Sequence, residues 1–169
     1  MYGNYVFAVD YRNAILVYPE YTNMTWDDYD KISANTGKMV IGGYQSSGNI
    51  GAYLSYKGRY AYRTKVHLTS NEIENGYTTK DKEIQTLEMG GIRVLPIICK
   101  EILFPEDYYH LKDIGIITHH IGYPMYDRHQ YLAWEALQKA AVEHFKCPLI
   151  SITGGEQTEL ALTHILEVE

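Results

Sequence analysis

The sequence predicts an α/β layered fold (α+β by some schemes), and three observations predict it. Short apolar runs alternate with helix-like segments over much of the second half of the chain, which is the pattern of helices packed on a sheet. Hydrophobic residues make up 46% of 169 residues, enough to build a real core in one domain spanning 1–169. Three chemistry-bearing positions, Pro19-Glu20, Lys65 and Cys99, each fall at or near the carboxyl end of an expected strand, where layered α/β folds usually place their chemistry.

The elements follow in order. The run Ala14 to Tyr18 reads as a short buried strand stopped by Pro19. "TWDDYDKISANTG" reads as a helix, with Thr25 as N-cap, Asp27 and Asp28 at its positive start, and Gly37 after its end. "KMVIGGY" is strand-like, and "NIGAYLSYKGRYAYRTKVHL" reads as two strands around a Lys57-Gly58 turn. Residues 69–80 are polar and turn-rich and are expected to be a loop. "GIRVLPIIC" is a buried strand, Pro105 with Glu106 and Asp107 opens a helix, and "DIGIITHH" is another strand. Residues 127–145 carry Tyr131, Trp134, Leu137, Ala141 and Phe145 at helical spacing, which predicts a long amphipathic helix. Cys147-Pro148 ends it, "PLISITGG" is a further strand, and the tail "TELALTHILEVE" has no deciding period.

Composition narrows the function classes. A net charge of -6 argues against a nucleic-acid partner, because phosphate binding needs a basic face. No apolar run is long enough to span a bilayer, so no membrane partner is expected. "MYGNYVFAVDYRN" lacks the basic flank and long apolar centre of a signal peptide. The two cysteines, Cys99 and Cys147, make a poor disulfide framework, and a reducing, cytoplasmic setting is the default. Seventeen tyrosines suit a robust core or a large wet interface but name no function.

Taken singly, the polar positions have ordinary explanations. Free cysteine is among the most buried residue types, so Cys99 reads first as a packed thiol. Glu20 reads as a solvated carboxylate after a strand, and Lys65 as a surface lysine. Together they form a pattern: Pro-Glu in "LVYPE", Lys-x-His-Leu with a glutamate seven residues after the lysine in "YRTKVHLTSNE", and the thiol in "ICKEILFPE".

These three blocks, in this order, resemble the nitrilase superfamily, the carbon–nitrogen hydrolases. The hairpin "GNIGAYLSYKGRYAYRTK" and the segment "WEALQKAAVEHFKCPLISITGG" extend the resemblance over about residues 14 to 155. The resemblance implies an α-β-β-α layered sandwich and hydrolysis of a non-peptide C–N bond, an amide before a nitrile. It implies Cys99 as nucleophile, Glu20 as general base and acid, Lys65 with the backbone N–H of Lys100 as oxyanion stabilisers, and Glu72 as the second glutamate that positions the lysine. A thiol at its ordinary pKa is mostly protonated at neutral pH, so such a nucleophile needs a base. No cofactor is implied. The partner would be a small-molecule amide or nitrile, and homo-oligomerisation is the family habit.

The match is incomplete. Thirteen residues precede the strand ending at Pro19-Glu20, where the family has a full strand and helix; "NYVFAVD" is a candidate remnant of that strand. The portion after Gly155 is also short. A shortened member is expected to cover the resulting sheet edge with a rearranged terminus or an oligomer interface. Lys100 stands where relatives often have an aromatic or smaller residue. "THHIGYPM" replaces a stretch with substrate contacts, so His119, His120 and Tyr123 become candidate substrate-binding residues. Adjacent histidines on a strand point to opposite faces, which speaks against a metal site. His67 is expected to pack and hydrogen-bond beside the lysine, and Cys147 to be structural. The alternative function is a nitrilase-like binding or assembly module without turnover.

Overall fold

The computed structural model describes residues 7–169. The first three residues of the "NYVFAVD" segment lie outside the described residues; its end forms β1 (Val9–Tyr11), which turns through Arg12 and Asn13 into β2 (Ile15–Val17). Helix α1 (Trp26–Thr36) is followed by β3 (Met39–Ser46), β4 (Asn49–Tyr56) and β5 (Arg59–Thr64), which complete a sheet in the order β1-β2-β3-β4-β5. A second sheet, in the order β10-β9-β8-β7-β6, is built from β6 (Leu87–Met89), β7 (Ile92–Ile98), β8 (Ile116–Ile121), β9 (Leu149–Thr153) and β10 (His164–Leu166). Short helix α2 (Ser70–Glu74) and long helix α3 (Arg128–Phe145) complete the set.

Three apolar clusters define the layers. Val17, Ile41 and Leu54 from the first sheet meet Val94, Ile116 and Ile152 from the second, forming the core between the sheets. On the outer face of the first sheet, Tyr29 and Trp26 of α1 pack over Val40, Tyr44 and Tyr53. On the outer face of the second, Trp134, Ala141 and Val142 of α3 cover Leu95, Ile97 and Ile117. The result is the expected α-β-β-α sandwich. β7, β8 and β9 run parallel and are covered on both faces, which is why they read as near-continuous apolar runs rather than alternating ones.

Local signals account for most of the boundaries. The Thr25 side chain accepts from Asp28 N at 3.1 Å while Thr25 N donates to the Asp28 carboxylate at 2.8 Å, a complete capping box, and Gly37 ends α1 at φ 73°. Lys57 and Gly58 both have positive φ, as the tight β4–β5 hairpin needs. Asp127 caps α3 through Gln130 N at 2.8 Å.

Two elements differ from the sequence expectation, and two that it left open are now defined. Residues 69–80 are not all loop: Thr69 and Glu72 form a second capping box that nucleates α2. The segment opened by Pro105 makes only a 3-10 turn, Pro105–Asp107, because Tyr108 is drawn into the core, its hydroxyl donating to Ile102 O at 3.0 Å. β6 pairs with β7 across the Gly90-Gly91 turn, too short to show a period. The undecided tail forms β10, antiparallel to β9.

One glycine ties the first sheet to the candidate site. A Cβ on Gly43 would lie 1.9 Å from the carbonyl oxygen of Glu20, and Gly43 N already donates to Pro19 O at 2.9 Å. Gly43→Ala is therefore expected to destabilise the protein by roughly 1–3 kcal/mol through backbone displacement. Thr25→Ala, which removes only the α1 cap, should cost about 1 kcal/mol. Denaturant unfolding measures both, and only Gly43→Ala should also alter the reactivity of Cys99.

Candidate active site

Three strand ends and one helix converge between the sheets. Glu20 follows β2, Lys65 follows β5, Glu72 sits on α2, and Cys99 terminates β7 at the start of the 3-10 turn Cys99–Leu103. Glu20 and Lys65 are fully buried and Glu72 nearly so. Lys65 Nζ donates to Glu20 Oε2 at 2.6 Å and to the two oxygens of Glu72 at 2.9 and 3.0 Å. A buried ammonium is tolerable only with such pairing, and here two carboxylates share it.

The carboxylates differ in how completely they are satisfied. Glu72 also accepts from the Tyr21 hydroxyl and from Thr69 N at 2.8 Å, so every direction around it is occupied. Burial would raise its pKa, but the Thr69, Tyr21 and Lys65 bonds outweigh burial and hold it below the usual range. Glu20 has one oxygen on Lys65, while Oε1 is buried with no hydrogen-bond partner among the described residues. Burial raises Glu20 to about 7, against the opposing pull of Lys65. Two carboxylates on one lysine are thus pushed in opposite directions: Glu72 stays anionic and Glu20 can exchange a proton near neutral pH.

The Cys99 thiol lies against the Glu20 carboxyl, near the Gly122 backbone amide and within the field of Lys65. Burial, followed by the Glu20 charge, pushes the thiol up to about 12, so it rests protonated and needs a base to ionise. Its backbone stands at φ 50°, a left-handed conformation that costs a non-glycine residue on the order of 1 kcal/mol. The following residue, Lys100, places its N–H in the first turn of the 3-10 helix, where intrahelical acceptors are missing.

The strained turn is held from β8. His119 Nε2 lies 2.9 Å from Cys99 O, and His119 Nδ1 lies 2.7 Å from Gln138 Nε2. The Gln138 amide donates to Nδ1, so the proton is on Nε2, which donates to the Cys99 carbonyl. Burial lowers His119 to about 3 and keeps it neutral in that tautomer. His120, on the opposite face of β8, is bonded to Tyr18 O at 2.6 Å and Thr118 Oγ1 at 2.8 Å.

That placement corrects the expectation that His119 and His120 line a substrate pocket: both are fully buried with both ring nitrogens engaged. Tyr123 does line a cavity of about 570 Å³, with Tyr21, Glu72, Asn71 and Asn75 among its walls. Tyr123 is 69% exposed and its ring meets that of Tyr21 at 5.5 Å. The cavity meets the buried cluster at Glu72 and Tyr21. His67 stacks on Phe104 and bonds Asp107, a packing role beside the lysine. Cys147 is buried under α3.

Two features escaped the sequence. Tyr21, directly after Glu20, carried no signal of its own. Arg63 and Glu101 form a fully buried pair, and Glu101 was visible only as the acidic position two residues after the thiol.

Solved structures with this fold include a CN-hydrolase superfamily protein from Xanthomonas campestris, described with an arsenic adduct in its active site. The TM-score is 0.73 at 16% identity, over 92% of this chain and 70% of the other. A carbon-nitrogen hydrolase from Helicobacter pylori matches at a TM-score of 0.65 and 18% identity, over 83% of this chain and 61% of its own. An amidase from Nesterenkonia sp. matches at 0.65 and 16%, over 92% and 73%. Variants of that amidase have been solved in complex with butyramide and with acrylamide added at the active-site cysteine. No protein-family model matches the sequence, and no curated protein is significantly similar to it. The chain has the nitrilase, or carbon–nitrogen hydrolase, fold.

The pH dependence of Cys99 follows from these groups. Alkylation by iodoacetamide should rise as pH increases through about 7, because Glu20 then loses its proton and becomes able to accept one. In Glu20→Gln that step should vanish, leaving only the thiol's own ionisation far to the alkaline side. Mass-spectrometric labelling rates, with Cys147 as internal control, measure both.

Proposed function

We propose that the protein is a thiol-dependent hydrolase of a non-peptide C–N bond, acting on a small amide. The observation that carries the reading is the buried Lys65 held between Glu20 and Glu72, with the Glu20 carboxyl also beside the Cys99 thiol. A fixed cation, a carboxyl near neutral pKa and a protonated thiol in one largely buried site are the parts that acyl transfer needs.

In this mechanism Glu20 Oε1 takes the proton from Cys99 as the sulfur attacks the amide carbonyl. The negative charge that develops on the carbonyl oxygen is met by Lys65 Nζ and the Lys100 N–H. The C–N bond breaks as Glu20 returns its proton to the leaving amine, giving a Cys99 thioester. Water, deprotonated by Glu20, then cleaves the thioester to a carboxylic acid and free thiol. Glu72 takes no proton; it balances the Lys65 charge and fixes its direction. The fold neighbours support the substrate class, since one is an amidase solved with butyramide.

Ammonia release from a panel of small amides, butyramide included, tests the proposal. Turnover is expected from wild type and none from Cys99→Ala. Lys65→Met should lower kcat/KM by roughly 10²–10³-fold, the scale for removing one oxyanion donor. Amide turnover that survives in Cys99→Ala would contradict the mechanism.

A further inference from the structure

Glu101 lies two residues beyond the thiol, is fully buried, and has no part in the proton transfers above. Its carboxylate takes four hydrogen bonds from three places. Arg63 of β5 grips both oxygens, Nη2 to Oε1 at 2.5 Å and Nη1 to Oε2 at 3.2 Å. Ile98 N, immediately before Cys99, donates to Oε1 at 2.9 Å, and Val66 N, immediately after Lys65, donates to Oε2 at 2.7 Å. Arg63 in turn donates to Thr64 O at 3.1 Å, immediately before Lys65, and to Pro96 O of β7 at 2.5 Å. The backbone on both sides of Lys65 and the backbone entering Cys99 are therefore fastened to one ion pair.

We propose that the Arg63–Glu101 pair is a positioning device for the reaction, setting the separation of Cys99 from Lys65 and holding the left-handed turn that aims the thiol at Glu20. The proposal rests on the hydrolase reading for what is being positioned. The two catalytic strands belong to different sheets, so no strand-to-strand ladder fixes their spacing. The pair spans that gap. The guanidinium fork matters as well as its charge: the bidentate grip and the two carbonyl contacts define one geometry, which a lysine ammonium cannot reproduce. A buried ion pair is weak evidence for stability, since apolar replacements of both partners are often tolerated. What apolar residues cannot supply is the acceptor for Ile98 N and Val66 N.

The test uses Arg63→Lys and Glu101→Asp, which keep both charges, and Arg63→Met/Glu101→Leu, which leaves no unpaired charge but takes the acceptor from Ile98 N and Val66 N. Circular dichroism and thermal unfolding show which variants are folded, and the readout is the pH profile of Cys99 alkylation by iodoacetamide. In folded variants the step near pH 7 should disappear and the neutral-pH rate should fall at least about tenfold, as if Glu20 had been removed. Where an amide is turned over, kcat should fall with KM little changed. Folded variants that retain the wild-type step and rate would overturn the proposal, as would failure of all three to fold, which would make the pair a requirement of the fold itself. Labelling needs no turnover, so the two readings separate. A wild-type step lost in Arg63→Lys supports positioning even if no amide is hydrolysed. A wild-type profile with no step, unchanged in Glu20→Gln, contradicts the hydrolase reading and this proposal with it.

Discussion

The constraint on which the site depends is the burial of the Lys65 ammonium. A charge with no solvent contact must be paired and hydrogen-bonded, or it would neutralise or unfold its surroundings. Glu20 and Glu72 supply that pairing from the segment after β2 and from α2, so three separate segments must converge for the lysine to be stable. The approach of β3 to the Pro19-Glu20 step, possible only with glycine at position 43, is one consequence. The capping box that turns an otherwise polar segment into α2 is another, because the carboxylate that caps the helix also holds the lysine.

A second consequence is asymmetry. With three ionisable groups around one cation, the most fully hydrogen-bonded carboxylate, Glu72, keeps the charge, and the less satisfied one, Glu20, moves toward neutral pH. The same burial that raises Glu20 also holds the Cys99 thiol protonated. A resting thiol beside a base of near-neutral pKa is protected from adventitious oxidation by its protonation, yet one proton transfer from reactivity. The left-handed backbone at Cys99 is sustained by bonds on either side, from His119 to its carbonyl and from Ile98 N to Glu101. Strain of this kind persists only where the surroundings over-determine it.

Much of this was legible in the sequence because it was written in local patterns. The α1 caps, the Lys57-Gly58 hairpin, the buried strands and the long α3 all follow from period and end signals. Glu20, Lys65, Glu72 and Cys99 were legible as a set by resemblance, and the structure brings them together. The misses have physical causes. The Thr69-x-x-Glu72 capping box was present but sat in a stretch whose polarity read as loop. A proline followed by two acidic residues marks a helix start, yet burial of Tyr108 ended the helix after one turn. His119 and His120 read as pocket residues because their segment replaces one that carries substrate contacts in the family the sequence resembles; their partners, Gln138 and Tyr18 O, are distant in sequence and left no local trace. The Arg63–Glu101 contact is likewise nonlocal.

The most direct test of the account is a search for the covalent intermediate. Wild-type protein is mixed with butyramide, quenched in acid within the first turnovers, digested, and its peptides are weighed. A butyryl thioester is expected on the peptide carrying Cys99, none on that carrying Cys147, and none at either position in Glu20→Gln. Release of butyric acid with no adduct on Cys99, or an adduct that forms equally well without Glu20, would contradict it.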